Sequence, residues 1–527
     1  MEMSPLQKPG LVKKTMSKNA RKIWKFKLTV TWKAFKNAFA KRFRRRLSPK
    51  TKTNVKQLSA VKTHQQPPPQ TIKNNSSRRP RKTLAKLLYV PYTASDFLDK
   101  GDEMTPTISP KQNISAIWQE LHGSSNWETL LDPLHPCLRR EILKYGEFVG
   151  ATYDAFDFDP LSEYCGSCRF NRHKMFQELG LTKHGYNVTK YLYAMSHVDV
   201  PDWFEKIYTT WSKDSNWMGY VAVSDDQESR RIGRRDIVVA WRGTVAPTEW
   251  FSDLRTSLEY FDEEHEEKKI NIKVQEGFLS IYKHKDQETR YNKQSASEQV
   301  MQELKRLVSH YREFYGEQKI SLTVTGHSLG GALALLTAYE AAITIPNIFI
   351  SVISFGAPRV GNLRFKEKLN ELGVKTLRVV VKQDIVPKLP GIIVNNIINK
   401  ISKITRKLNW VYRHVGTQLK LDMDTSPYLK RDADMSGSHN LEVYLHLLDG
   451  FMGKKMKFRW NARRDLALVN KSSDMLIEEL RIPEFWYQMP HKGLVLNKYG
   501  RWIKPCREVE DIPSPFSTQV SKHELSF

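Results

Sequence analysis

The sequence predicts an α/β fold, a mainly parallel sheet covered by helices on both faces, and three observations carry that expectation. Strand-like apolar runs alternate with helical periods from about residue 297 to residue 384. The runs are continuous rather than alternating in polarity, as strands buried on both faces require. One strand-to-helix junction, "VTGHSLGGALALL" from Val324 to Leu336, holds a serine between two glycines.

Along the chain, Trp118, Leu121, Trp127, Leu130, Ile142, Tyr145, Phe148 and Val149 recur among charges, so a helical lead-in packed on the core is expected over 112–180. "MGYVAVSD" and "RDIVVAWRG" read as strands, paired as a hairpin or as neighbours across the charged turn "DQESRRIGRR". The helix "SEQVMQELKRLVSHYREFYG" opens with Ser297 as candidate N-cap, sets Val300, Leu304, Leu307 and Tyr311 on one face, and stops at Gly316. Then follow a strand "KISLTVTG", a helix from about Leu329, a strand "FISVISFGAP", a helix near "NLRFKEKLNELG" and a strand "TLRVVVKQD". "WVYRHVGTQLKLDM" alternates as a strand does, and "NLEVYLHLLDGF" as a helix does. The main core is thus expected over 181–455, and 456–527 is an extension with a helical piece around "SSDMLIEELRI".

Charge is uneven. Residues 1–90 hold 25 Lys and Arg against one acid, Glu2, so +24 of the formal +27 belongs to the front end. Residues 1–100 therefore read as a basic, disordered leader of the organellar transit type, nearly acid-free and without the apolar stretch of a secretory signal. Trp24, Leu28, Trp32, Phe35, Phe39 and Phe43 also recur at helical spacing among bases, which keeps open a retained arm lying on an anionic membrane. No reader fold for nucleic acid accompanies the charge, so no nucleic-acid partner is expected. No stretch is apolar enough to span a bilayer, since "ALALLTAYEAAITIPNIFI" carries Glu340 and is cut by Pro346. The pair Cys165 and Cys168 in "CGSC" has no second pair to complete a zinc site, and reads as structural thiols or a regulatory disulfide.

Ser328 is the chemical focus. Small residues on either side of a strand-turn-helix junction push its hydroxyl into the open at a strand's C-terminal end, where open parallel sheets bind ligands. The bland alternative is a plain turn residue. A hydroxyl is a poor nucleophile at neutral pH and needs a base, and the base an orienting acid, in the chain order serine, acid, histidine. Asp384 directly follows an apolar strand and so shares the serine's rim, whereas Asp422, Asp424, Asp432 and Asp434 lack that anchor. His439 at a helix start is the favoured base over His414, placed in a strand, and His446, placed inside a helix. His327 should point away from its neighbour Ser328. The oxyanion of an acyl transfer would take an N–H from Leu329 and another from Thr244, where "VVAWRG" breaks at Gly243. Trp250, Phe251 and Leu254 form a short apolar segment that could cover the site, or an ordinary amphipathic surface helix.

With these pieces together, the chain resembles the class 3 lipases, and among them the plant class I phospholipase A1 enzymes of the chloroplast type. "GHSLGGALALL", "WRGT", "SFGAPRVGN", "KQDIVPKLPG" and "HNLEVYLHLLDGF" carry the likeness, with "YDAFDFDPLSEYCGSCRFNR" upstream and "RDLALVNKS" downstream, over about 114–502. The resemblance implies an α/β-hydrolase fold, with Ser328, Asp384 and His439 as the triad, Thr244 and Leu329 at the oxyanion, and the Trp250 segment as a lid. It also implies metal- and cofactor-free hydrolysis of the sn-1 acyl ester of membrane glycerolipids at a peripheral membrane surface in the chloroplast, with the mitochondrion or a cytoplasmic membrane surface as alternatives. Triacylglycerol or galactolipid hydrolysis would share every motif, and a catalytically silent lipid-binding relative is the reading from another class.

Overall fold

Strand identity follows the predicted apolar runs closely. In the computed structural model these are β2 (Asn216–Ser224), β3 (Arg235–Trp241), β6 (Ile320–His327), β7 (Phe349–Phe355) and β8 (Lys375–Val381), joined by β1 (Tyr186–Ala194) and β9 (Thr417–Leu421). The residues described are 112–158, 162, 164–195, 215–244, 257–261, 271–289, 291–316, 318–390, 411–431, 435–459, 464–488 and 495–503. The basic leader and its aromatic stripe, the Trp250, Phe251 and Leu254 segment, Asp432 and Asp434 lie outside them.

The sheet runs in the order β1-β2-β3-β6-β7-β8-β9. β1, β2 and β3 pair antiparallel, and from β3 to β9 each pairing is parallel. A short antiparallel ribbon, β4 (Leu258–Tyr260) with β5 (Lys273–Gln275), stands apart from it. Parallel neighbours require crossovers, and those between β3 and β8 are helical. On one face lie α3 (Glu276–Lys283), α4 (Ala296–Tyr315), α5 (Leu329–Thr344) and α6 (Leu363–Glu371), packed on Ile237, Val239, Trp241, Leu322, Val324 and Val352. The alternate residues Val238, Ala240, Ile353, Phe355 and Val379 face α1 (Pro136–Asp154) and α7 (Leu441–Gly450). Both faces are therefore dry, and β3 and β7 carry apolar side chains on each.

Several details depart from expectation. The N-cap of α4 is Ser295, not Ser297. Ser295 accepts from Glu298 N while Glu298 bonds Ser295 N, a capping box that Ser297 cannot make from inside the helix. The charged turn between β2 and β3 folds as a short helix, α2 (Asp226–Ile232), capped by Asp225. The lead-in is broken into Trp118–Leu121 and α1, with left-handed backbone at Asn126, Trp127 and Thr129 between them. His414 precedes β9 instead of lying in it, because Arg413 forms a lone bridge to Gly361 and strand pairing begins only at Thr417. "SSDMLIEELRI" forms no α-helix; Leu476 bridges Leu429, and Glu478–Leu480 makes one 3-10 turn.

At the N-terminal rim of the strands the lead-in is riveted to the sheet by a wholly buried polar network. Asp236 Oδ2 accepts from Tyr145 and Tyr186, both at 2.8 Å, and Oδ1 from Ser321 and Thr323, both at 2.9 Å. Arg234 lies 3.7 Å from Asp236 and donates to Ser321 Oγ at 2.8 Å and to His122 Nε2 at 2.7 Å. His122 then donates from Nδ1 to Ser351 Oγ at 2.9 Å. On α1, Lys144 pairs with Glu141 at 2.9 Å. Each buried charge thus has a counter-charge or hydrogen-bond partners, the condition under which such groups are tolerated.

Candidate active site

At the opposite rim, β6 ends in His327 and α5 begins at Leu329, leaving Ser328 alone to make the turn. Its backbone stands at φ 59°, ψ −127°, a left-handed conformation that costs a non-glycine residue about 1–3 kcal/mol. Neighbouring glycines make the strain geometrically possible. A methyl group on Gly326 would lie 2.2 Å from the Gly330 carbonyl, and one on Gly330 would lie 2.3 Å from the Trp241 carbonyl oxygen. The steric reason anticipated for the small residues is thus met by backbone, which cannot give way.

Ser328 N donates to Phe355 O at the end of β7, and the next residue, Gly356, opens the space where the other candidates meet. A methyl group there would be 3.1 Å from Asp384 Oδ2 and 3.1 Å from His439 Cε1. Asp384, just past β8, accepts from His439 Nδ1 at 2.6 Å through Oδ2 and from Val386 N at 2.8 Å through Oδ1. With its proton on Nδ1, the His439 imidazole carries its basic lone pair on Nε2. Asp384 and His439 are both buried, and so is Ser328, whose hydroxyl was expected in the open but is covered among the described residues. Among the described residues, Ser328 Oγ and Thr244 Oγ1 are buried with no hydrogen-bond partner. Orphaned hydroxyls are costly in a core, so two at one site point to groups held ready for a substrate. Gly243 keeps Thr244 close, because a methyl group on it would be 3.0 Å from Ser328 Cβ. Leu329 is the first residue of α5, where backbone N–H groups are left unpaired by the helix itself.

His327 makes no hydrogen bond to the hydroxyl of Ser328, and it is more than a neighbour. Its Nε2 donates to the His439 carbonyl at 2.8 Å, and its Nδ1 accepts from Tyr153 Oη at 2.7 Å. Tyr153 Oη in turn accepts from Gly243 N at 3.1 Å. Burial, and then the nearby His439, hold the His327 imidazole well below its ordinary pKa, which keeps it the neutral relay this chain of bonds needs. The rings of His327 and His439 lie 4.5 Å apart. One phenol on α1 therefore ties the Gly243 turn, the serine's predecessor and the His439 backbone into one frame.

The family described as Lipase (class 3) matches residues 238–394. Phospholipase A1-Igamma2, chloroplastic, of Arabidopsis thaliana is 48% identical over 422 residues, covering 77% of this chain and 79% of its own. The chain belongs to the class 3 lipase family. Phospholipase A1-Igamma1, chloroplastic, from the same plant is likewise 48% identical, over 79% of this lipase and 82% of its own length. Among solved structures, a lipase from Rhizopus microsporus var. chinensis matches 56% of the chain and 78% of its own at 20% identity, with a TM-score of 0.34.

The lipase's other candidates lie elsewhere. His446, inside α7, bonds Ser426 Oγ at 2.8 Å, and burial followed by Arg464 lowers its pKa to about 4. His414 falls to about 3, chiefly through burial and then Arg378 and Arg359. Asp422 is tied to Lys382 at 2.7 Å and to Gln383 at 2.7 Å, so it braces the turn that presents Asp384. Cys165 and Cys168 are buried thiols, and Cys168 Sγ donates to Tyr191 Oη at 3.3 Å. Among the described residues no cluster of His, Cys, Asp and Glu has a metal-holding arrangement.

Two residues escaped the sequence reading. Tyr153 opens the stretch "YDAFDFDPLSEYCGSCRFNR" in the lead-in, where nothing marks its hydroxyl. Tyr444, one turn into α7, donates its hydroxyl to Asp384 Oδ2, the oxygen that also holds His439. A phenol bound to a carboxylate spreads its charge and fixes its orientation. Tyr444→Phe is expected to lower kcat by about ten- to a hundredfold, a charge-assisted bond being worth about 1.5–3 kcal/mol. KM should stay within twofold, which steady-state kinetics on both proteins will read.

Proposed function

We propose that the protein is a phospholipase A1, releasing fatty acid from the sn-1 ester of membrane glycerolipids in the plastid. Ser328 attacks the ester carbonyl while His439 Nε2 takes its proton, and Asp384 holds the imidazole and balances the charge it gains. Thr244 and the Leu329 N–H receive the oxyanion. The protonated imidazole then hands its proton to the departing lysolipid oxygen, leaving an acyl-enzyme. Water, deprotonated by the same imidazole, frees the fatty acid and restores the serine. The observation that carries this reading is the 2.6 Å bond between Asp384 and His439 beside an unbonded, buried serine hydroxyl. The relatives' names supply the positional preference and the compartment, and the acid-poor leader agrees with the compartment.

The test is a product profile from phospholipid carrying different acyl chains at its two positions. Release of the sn-1 chain supports the proposal. Release of the sn-2 chain, or turnover only of galactolipid or triacylglycerol, overturns the substrate while leaving the catalytic roles standing.

A further inference from the structure

Two arginines are wholly buried among the described residues, Arg234 and Arg242, and within that set only Arg234 has a carboxylate beside it. Arg242 directly follows β3, and its donors are met by neutral groups. Nε and Nη2 donate to Trp217 O in β2 at 3.2 and 3.1 Å, and Nη1 donates to Gly243 O at 3.0 Å. Nη2 also lies 3.2 Å from Met218 Sδ, and the guanidinium carbon stands 3.7 Å from the centre of the Phe156 ring. Carbonyls and a ring face solvate a cation but do not cancel its charge. Burial lowers the Arg242 pKa to about 10, with Tyr153 opposing, so the group is still a cation at neutral pH. A buried charge without a counter-charge is costly, and costly charges of this kind gather where chemistry is done.

Its position gives the charge a use. Gly243 O and Thr244 N–H are the two ends of one peptide group. A planar trans amide points its carbonyl and its N–H in opposite directions, so a cation bonded to the oxygen leaves the N–H free to serve the other side. The turn is held on its second flank as well, where Gly243 N donates to Tyr153 Oη at 3.1 Å. It is also pressed against the nucleophile, since a methyl group on Gly243 would lie 2.7 Å from His327 O and 3.0 Å from Ser328 Cβ. A charged donor on the carbonyl draws electron density out of the amide and makes its N–H a stronger donor, as bonds in a chain polarise one another.

We propose that Arg242 is a positioning residue for the oxyanion site, fixing the Gly243–Thr244 peptide group and polarising its N–H toward the negative charge that forms on the ester oxygen. A donor strengthened in this way acts most when that charge develops, so it serves the transition state more than the bound substrate. The inference rests on the reading of Thr244 as an oxyanion donor, and its test separates the two.

The test takes the full-length protein and an alkyl trifluoromethyl ketone labelled at its carbonyl carbon for NMR. Addition of the Ser328 hydroxyl turns that carbonyl into a hemiketal whose oxygen stands where the oxyanion would, and the carbon shift followed against pH gives the pKa of the hemiketal hydroxyl. In Arg242→Met this pKa should rise by about one to two units, while kcat for a soluble short-chain ester falls about ten- to a hundredfold and KM stays within about threefold, each unit being a tenfold change. Arg242→Lys keeps the charge and should hold the hemiketal pKa within about half a unit of the unaltered protein's. A merely structural role would lower the melting point of both variants and leave the hemiketal pKa where it was. The proposal fails if the hemiketal ionises in Arg242→Met as it does in the unaltered protein. It fails equally if Arg242→Lys raises the pKa by more than that half unit, an outcome that decides alone should Arg242→Met not fold. A hemiketal that ionises in the unaltered protein no more readily than the hydrate of the free ketone would instead remove the oxyanion reading itself.

Discussion

Ser328→Ala is expected to lower kcat for acyl-ester hydrolysis by about 10⁴ to 10⁶-fold, the range seen when the nucleophile of such a unit is removed. The change deletes one oxygen that has no hydrogen-bond partner among the described residues, so no internal bond is lost with it. Alanine must still adopt φ 59°, as serine does, and the thermal midpoint should therefore move little. Binding to lipid vesicles should persist, because the change removes one buried oxygen and leaves every surface side chain in place. Single-turnover release of fatty acid by the purified variant, beside its melting curve, checks the two halves together. Retained hydrolysis with a normal melting curve would refute the assignment of the nucleophile.

Asp236→Ala should be the most damaging change to stability away from the active site, at about 3–5 kcal/mol. It strands Arg234, fully buried 3.7 Å away, and removes the acceptor of two phenols and two hydroxyls. Burial alone would raise the Asp236 pKa, but Arg234, Lys144 and His122 outweigh it and hold the carboxyl below its usual range. Its contribution is therefore complete above the unfolded value near 3.9 and is lost as pH falls through the folded one. His122 adds lability at milder acidity. Burial first, then Arg234, lower its pKa to about 4, so between pH 6.5 and 4 the unfolded chain binds the extra proton and stability falls by up to about 1.4 kcal/mol per pH unit. Denaturant unfolding of both proteins at pH 7.5 and 5 will test this. Replacing Arg234 and Asp236 together by apolar residues should cost less than Asp236→Ala alone, since no unpaired charge is left behind.

What the sequence disclosed divides along a physical line. Ser328, Asp384 and the β6-to-α5 junction were legible because each follows directly from a local pattern, an apolar run that ends at a small or polar residue. His439 was reachable by chain order, and its neighbour Asn440 marks the start of α7 as the N-cap. Tyr153 and Tyr444 were not legible. Each sits at helical spacing among apolar residues, and what distinguishes it is a hydroxyl that meets a partner far away in sequence. β1 was equally hidden, because a register irregularity between Val188 and Lys190 breaks its alternation. The Ser297 misplacement shows a smaller limit: two serines two residues apart compete for one cap, and only Ser295 has Glu298 at the reciprocal position.

The phenol of Tyr153 also bears on where the enzyme can be cut. The family match over 238–394 contains the proposed nucleophile and its acid, yet the proposed base lies after that span and the phenol that braces its carbonyl through His327 lies well before it. A protein engineer excising the recognisable piece would therefore harvest a nucleophile without its proton acceptor. The smallest working version has to run at least from the helix bearing residue 153 to the one bearing residue 444. Catalytic competence here is a property of two ends of the polypeptide brought home to its middle, and it does not come as a detachable module.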